Sequence, residues 1–365
     1  MITKESSREN MKRKRGEEQV KVNCGVDRLS CLPYDILGRI LSFLDTKSAI
    51  RTSLLSTQYR HAWASSTTLH FNLASSKYSH AISRSFETNV SHVLQRRKDY
   101  KNLESFRLSL HIGVTSIFIE ECIHYAVQRN IHHLRIRANT KDHRPATLPK
   151  LLLTSSSLIT LHLNDARRDS IELPTSVVLP NLKILHLKNF EFSAKNYNGE
   201  VFTGCPNLEE LVLVKCLIRC GDELKVLDVN CLNLKKLEIR YWRSPWEDMI
   251  GVNAPNLEFF KLQGSITRID FRTDMPCLYR ACIELSVPVG EKMMTTSETL
   301  FSMLHQMHHV NVLKISPQTM KVIDAFPELR DEKMPGFEIL KIVNCKEDIP
   351  MYELKDALAF TFPHK

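Results

Sequence analysis

LPNLKILHL at residues 179–187 and GCPNLEELVL at 204–213 share one frame, L-x-x-L-x-L, and that frame decides the fold. Its last two apolar positions alternate with polar ones, as in a short strand that sends every second side chain inward. One such strand cannot bury its apolar face alone; only a stack of neighbours makes a continuous core. The frame recurs at Leu103–Leu108, Ile131–Ile136, Leu158–Leu163, Leu182–Leu187, Leu208–Leu213, Leu234–Ile239 and Leu257–Leu262. The starts are separated by 28, 27, 24, 26, 26 and 23 residues. Leu278 begins a degenerate copy, and Val310–Ile315 and Phe337–Ile342 supply two more. Pro-Asn-Leu leads into several units, at 180–182, 206–208 and 255–257.

These spacings lie in the ~20–29-residue range of leucine-rich repeats. Leu224-x-x-Leu227-x-Val229 falls too close to Leu234 to be a full unit and reads as an outer-side strand or turn. With the leucines inward, the intervening residues face solvent on the concave side. Those positions hold Arg107, His133, Arg135, Arg137, His162, His186, Lys188, Lys236, Arg240, Lys261, Lys314 and Lys341, against Glu210 and Glu238. Such a face would accept an acidic or phosphorylated protein segment through charge-assisted hydrogen bonds. The bland alternative is a solvated basic face on a chain whose net charge is +9. Phe259 is the one aromatic at these positions, so a stacking platform for single-stranded nucleic acid is missing, and a nucleic-acid-binding repeat protein is the weaker reading.

Ahead of the repeats, LSCLPYDILGRILSFLD places Ile36, Leu37, Ile40, Leu41 and Leu44 on one helical stripe, with Pro33 as first helical residue. Asp45-Thr46 offers a cap for a second helix, Lys47–Leu55, and a third segment carries Tyr59, Ala62 and Trp63. A unit this small buries too little surface to be finished by itself. Helical spacing also predicts a helix between 74 and 100, through Phe86, Val90, Val93 and Leu94, and another over 117–127.

Residues 26–71, with Leu32-Pro33, Ile40-Leu41-x-Phe43-Leu44, Thr52-Ser53-x-Leu55-Ser56 and Trp63, resemble the F-box abundant in plants, and the body resembles the leucine-rich repeats that follow it there. The expected fold class is α/β: a small three-helix F-box followed by a curved leucine-rich-repeat solenoid, a right-handed α/β horseshoe. The boundaries read as a disordered basic tail (1–25), F-box (26–71), helical connector (72–100), repeats (101–346) and C-terminal tail (347–365). The resemblance implies the substrate-recognition subunit of a Skp–cullin–F-box ubiquitin ligase, without catalytic residues. Its F-box would bind a Skp-type adaptor, and through it a cullin, while the repeats hold a protein substrate. The adaptor face would comprise Leu32, Pro33, Leu37, Ile40, Ile50, Leu54 and Trp63; the substrate face, Arg107, Arg135, Arg137, His162, His186, Lys188, Lys236, Arg240 and Lys261. The family's usual Trp is replaced by Tyr59, and the further C-terminal domain of many relatives is expected to be absent or truncated here. A scaffold working outside a ligase is the remaining alternative.

Enzyme signatures fail in detail. Gly199 to Gly204 has P-loop spacing, but Cys205-Pro206 follow in place of Lys and Ser/Thr. His305, His308 and His309 lack the Glu of a metalloprotease helix, and neither Cys216 with Cys220 nor Cys277 with Cys282 has zinc-type companions. No metal or cofactor is expected. Trp242-Arg243-Ser244-Pro245-Trp246 reads either as an exposed anchor or as a loop packed over the repeat edge. The polar start, without an apolar core, predicts neither signal peptide nor membrane anchor, and therefore an intracellular chain with ten unpaired thiols. Lys12-Arg13-Lys14-Arg15 fits nuclear import or a solubilising tail, so nucleus or cytoplasm is the expected location.

Overall fold

A computed structural model of the chain describes residues 32–52, 54–56, 60–73, 80–99, 102–140, 148–165, 171–172, 177–192, 201–218, 226–243, 248–286, 293–327 and 339–342. The basic run, Tyr59, Gly199, Cys220, Leu224, Trp246, Cys345 and both tails lie outside the described residues. Two compact units divide between Ser66 and Thr67.

The first unit holds helices α1 (Tyr34–Leu41) and α2 (Thr46–Thr52) and a 3₁₀ turn at Ala62–Ser65. Pro33 is the N-cap of α1 rather than its first helical residue, so the helix starts one residue later than the sequence predicted. Asp45 caps α2: its carboxylate accepts from Ser48 N at 3.0 Å and Ser48 Oγ at 2.6 Å. Leu37, Leu41, Ala49, Ala62, Trp63 and Ala64 make the small core. Gly38 lets α1 close on the 3₁₀ turn, because a Cβ there would stand 2.3 Å from Ser65 Oγ.

The second unit opens with strand β1 (Thr68–Leu73), helix α3 (His80–Arg96), β2 (Ser105–Val114), α4 (Ser116–Val127), β3 (His133–Thr140) and β4 (Thr160–Asp165). It continues through β5 (Ile171–Glu172), β6 (Ile184–Lys188), β7 (Phe190–Phe192), β8 (Glu210–Val214), β9 (Leu217–Ile218), β10 (Val226–Asn230), β11 (Lys236–Arg240) and β12 (Met249–Asn253). The last elements are β13 (Phe259–Gly264), β14 (Arg268–Phe271), β15 (Arg280–Leu285), α5 (Met293–His305), β16 (Val312–Ile315), α6 (Pro317–Asp324) and β17 (Ile339–Ile342). One parallel sheet of 11 strands runs β1-β2-β3-β4-β6-β8-β11-β13-β15-β16-β17. Two smaller parallel sheets, β5-β7-β9 and β10-β12-β14, complete the α/β solenoid. The sheet thus starts at Thr68, within the stretch that the sequence reading gave to the end of the F-box, and β10 is the outer strand expected around Leu227.

The frame leucines sit where the periodicity puts them. Leu185, Leu211, Leu237 and Phe260 pair in register, as do Leu187, Leu213, Ile239 and Leu262, and all are buried in one continuous core. Each unit enters through a β-turn: Leu182 N donates to Leu179 O, Leu208 N to Cys205 O, Leu234 N to Cys231 O and Leu257 N to Ala254 O, each at 3.1 Å. Pro180, Pro206 and Pro255 take the second turn position, whose φ proline already holds. The unit leaves its strand at a left-handed residue: Asn189 (φ 63°), Lys215 (φ 54°), Tyr241 (φ 52°) and Gly264 (φ 105°) follow β6, β8, β11 and the fifth position of β13.

Cys205 and Cys231 are first turn residues and lie inside; burial pushes their thiols up to about 11 and about 12. Trp242 is also buried, stacked 6.1 Å from Phe192 at 19°, so it packs down over the core. α3 and α4 stand where helical spacing placed them, with Val90, Leu94, Ile123 and Ala126 inside. α5 and α6 had no counterpart in the sequence reading. Among the described residues no helix is long and apolar enough to cross a membrane.

Candidate functional site

In the first unit the apolar stripe of α1 divides between two faces. Leu37 and Leu41 turn to the core with Trp63, whereas Ile36 and Ile40 are exposed. Exposure continues beyond the helix, at Phe43 (84%), Leu54 (86%) and Leu55 (78%), with Leu44 partly out. Of the residues expected on an adaptor face, Pro33, Ile40 and Leu54 are exposed, and Leu32 and Ile50 half-buried. Leu37 and Trp63 are spent inside, because a unit of this size has almost nothing else with which to build a core. Ile36, Phe43, Leu44 and Leu55 were missing from that set.

The open face of the long sheet is a grid. Across β2, β3, β4, β6, β8, β11 and β13 the third outward position reads Arg107, Arg135, His162, His186, Val212, Glu238 and Lys261. Two residues on it reads Ser109, Arg137, Asn164, Lys188, Val214, Arg240 and Gln263. Eight of the nine residues expected on a substrate face lie in these rows and Lys236 in the row before them, but the face is not one-signed. Glu284, on β15, is a third acid that the degenerate Leu278 copy concealed; it accepts from Lys261 at 2.7 Å and from Gln263 at 2.8 Å.

Ion pairing splits the grid in two. From β8 onward Glu210 contacts His186 at 2.7 Å and Lys236 at 3.1 Å, and Glu238 contacts Lys236 at 2.9 Å and also Arg240. Burial raises both carboxyls, but hydrogen bonds and charge from these partners outweigh it and hold them below the usual carboxylate range. From β2 to β6, among the described residues, no carboxylate pairs with Arg107, Arg135, Arg137 or Lys188. Partial burial and the like charges of Lys215 and Arg137 hold the Lys188 ammonium below the ordinary lysine value.

Between these halves lies a depression of about 410 Å³, from Arg135 and Arg137 on one side to Lys236 and Arg240 on the other. His162 and His186 stand edge to face within it, 4.0 Å between ring centroids. His162 Nδ1 lies 3.3 Å from Arg135 Nη2. Its pKa is pushed down to about 4, first by burial, then by His186 and Arg135. The ring is therefore neutral, Nδ1 accepts from the guanidinium, and Nε2 keeps the proton as a donor.

Elsewhere, His308 and His309, rather than His305, gather at Asp274, with both Nε2 atoms within 3.4 Å of its Oδ1. Those three groups are the candidate metal-ligand set among the described residues, two of them exposed.

Comparison with known proteins gives two matches to separate stretches of the chain. An F-box domain model matches residues 29–71. The model for the LRR repeats of the FBD-associated F-box protein At5g56370 matches 119–329. The F-box protein At4g09920 of Arabidopsis thaliana is 32% identical over 243 residues, 65% of this chain and 73% of that protein. The F-box/FBD/LRR-repeat protein At5g22660, from the same plant, is 26% identical over 332 residues, 88% of this chain and 71% of that protein. The F-box/LRR-repeat protein At1g55660, also from Arabidopsis, is 28% identical over 245 residues, 65% of this chain and 64% of that protein. The chain spans between 53% and 73% of the relatives' own lengths. No solved structure matches it.

Proposed function

Because the chain belongs to the plant F-box/leucine-rich-repeat family, we propose that it is a non-catalytic substrate receptor of a Skp–cullin–F-box ubiquitin ligase. Its first unit docks a Skp-type adaptor and its long sheet presents a protein substrate for ubiquitination. The observation that carries the first half is the outward apolar set Ile36, Ile40, Phe43, Leu44, Leu54 and Leu55. Six large apolar side chains exposed on so short a segment are an interaction surface, not a normal solvent face. Covering Phe43, Leu54 and Leu55 would contribute up to about 1.5–3 kcal/mol each before the entropy of association is subtracted. The reading adds the exposed Pro33 and the half-buried Leu32 and Ile50 to that face. The chain's part in the reaction is positioning, since holding a target near a transfer enzyme raises its effective concentration without any bond being made here.

A Phe43→Ala, Leu54→Ala double variant tests the reading in a pull-down with a purified Skp-type adaptor. Both side chains are exposed, so the helices and repeats keep their circular dichroism and melting profile. Adaptor retention falls at least roughly tenfold, since two lost contacts amount to more than 1.4 kcal/mol. Undiminished retention sinks the proposal.

A further inference from the structure

We infer that the depression on the open face of β3–β8 seats a phosphorylated segment of a partner protein, with the phosphate among Arg135, Arg137 and Lys188 and a neighbouring apolar side chain on Val212 and Val214. The inference rests on the substrate-receptor reading and names the class of substrate.

Three observations carry it. The first is uncompensated charge: Arg135, Arg137 and Lys188 share one end of the depression with no carboxylate paired to them among the described residues, while Glu210 and Glu238, which line its other end, are held by His186, Lys236 and Arg240, and Glu284 by Lys261. Lys188 already feels Arg137 and Lys215 as like charges, so a dianion placed among them relieves repulsion as well as forming bonds. Two guanidinium forks on one strand suit a tetrahedral anion with several acceptor oxygens.

The second is a peptide-like demand beside the cations. Asn164 lies between Arg137 and Lys188 in the register, and its Oδ1 is buried without a hydrogen-bond partner. Any donor that reaches it meets that demand, and an extended segment carries one in each backbone N–H. The neutral His162 adds an Nε2–H donor at the same end.

The third is what lies next to the charge. On β8 the half-buried Val214, with Val212 almost covered beneath the same depression, replaces polar residues one strand from Lys188. With strands ~4.8 Å apart and ~3.3 Å per extended residue, an apolar side chain two or three residues from the phosphate reaches them. Nucleic acid fits less well. Its backbone would have to continue across Glu210, Glu238 and Glu284, and the cationic patch spans only the four strands β2, β3, β4 and β6, roughly 15 Å.

The test uses the full-length chain on an array of degenerate peptides whose central residue is phosphoserine, glutamate or serine, together with a single-stranded RNA 20-mer. Phosphoserine peptides are retained roughly tenfold or more over serine, with apolar residues selected two or three positions away, and retention weakens as salt rises. Arg135→Gln with Arg137→Gln abolishes that preference, Arg137→Lys keeps part of it, and Arg268→Gln on β14 leaves it intact. Lys188→Gln provides a second single-residue check should the double variant melt early. Retention indifferent to phosphorylation or to these arginines overturns the inference, as does RNA binding that exceeds peptide binding through the same residues. Adaptor capture by the arginine double variant is undiminished. Failure of the wild-type chain to capture adaptor would sink the receptor reading and leave the peptide result standing.

Discussion

His162 shows how much one residue inherits from its place in the grid. On an isolated strand it would titrate near 6.5. Here it is half-covered, faces His186, and accepts from Arg135, and its pKa sits at about 4. The sign of the consequence follows from proton counting. The unfolded chain binds more protons than the folded one between the two values, so this contribution to stability is whole above about pH 6.5 and drains away as pH falls toward 4. His133 and His186 are lowered in the same direction, chiefly by burial. Glu210 and Glu238, held below the ordinary carboxylate value, lose their contribution only at still lower pH. A His162→Gln variant therefore has a shallower stability slope between about pH 6.5 and 4.5 than the wild-type chain. Urea midpoints at pH 7 and pH 5 measure it. A pH 7-to-5 drop as large in the variant as in the parent would show that the imidazole is not the group responsible.

At the level of the element, the repeats are tied by a device outside the leucine frame. Asn181, Asn207, Asn233 and Asn256 occupy the same turn position, and each donates its amide Nδ2 to a carbonyl one unit back: Ser156, Pro180, Pro206 and Leu232, at 2.7, 2.7, 3.0 and 2.9 Å. Asn207→Ala removes one rung and costs about 0.5–1.5 kcal/mol, toward the low end because the side chain is exposed. Asn207→Asp costs at least as much, since it lacks the donor; the thermal midpoints of both variants give the measurement. The Pro-Asn-Leu signature was visible in the sequence, but its partner was not, because a backbone carbonyl about one repeat upstream leaves no trace in residue type. The strands themselves were legible because alternation is local: Leu185 and Leu187 announce themselves without any neighbour. Where Ala281 and Cys282 stand on β15, the frame faded and Glu284 with it, although the strand pairs in full register. The ion pairs that divide the open face were equally hidden, since Glu210 meets Lys236 only once β8 and β11 are aligned. Helix α1 failed differently. Spacing put Ile36, Leu37, Ile40 and Leu41 together, but which half faces inward depends on Trp63, more than twenty residues later.

At the scale of the molecule, the two units are stabilised by unlike means, and that difference is measurable. The repeats form one continuous core in which each strand pairs with its neighbours, so their stability is a sum of adjacent contacts. The first unit has a core of a few side chains, two of them alanines flanking Trp63, while Phe43, Leu54 and Leu55 point outward. Such a unit is marginal until something covers it. A partner that binds only its folded form adds RT ln(1 + [L]/Kd), about 2.7 kcal/mol at a hundredfold excess over Kd. Amides that exchange through opening of that unit then slow by up to roughly a hundredfold. Hydrogen exchange on the full chain with and without a Skp-type adaptor resolves this by residue. Protection rises across residues 34–66 and stays unchanged in β4, β6, β8, β11 and β13, whose packing owes nothing to the adaptor. Equal gains in both units, or none around Leu37 and Trp63, would show that the exposed phenylalanine and leucines are not where a partner completes the fold.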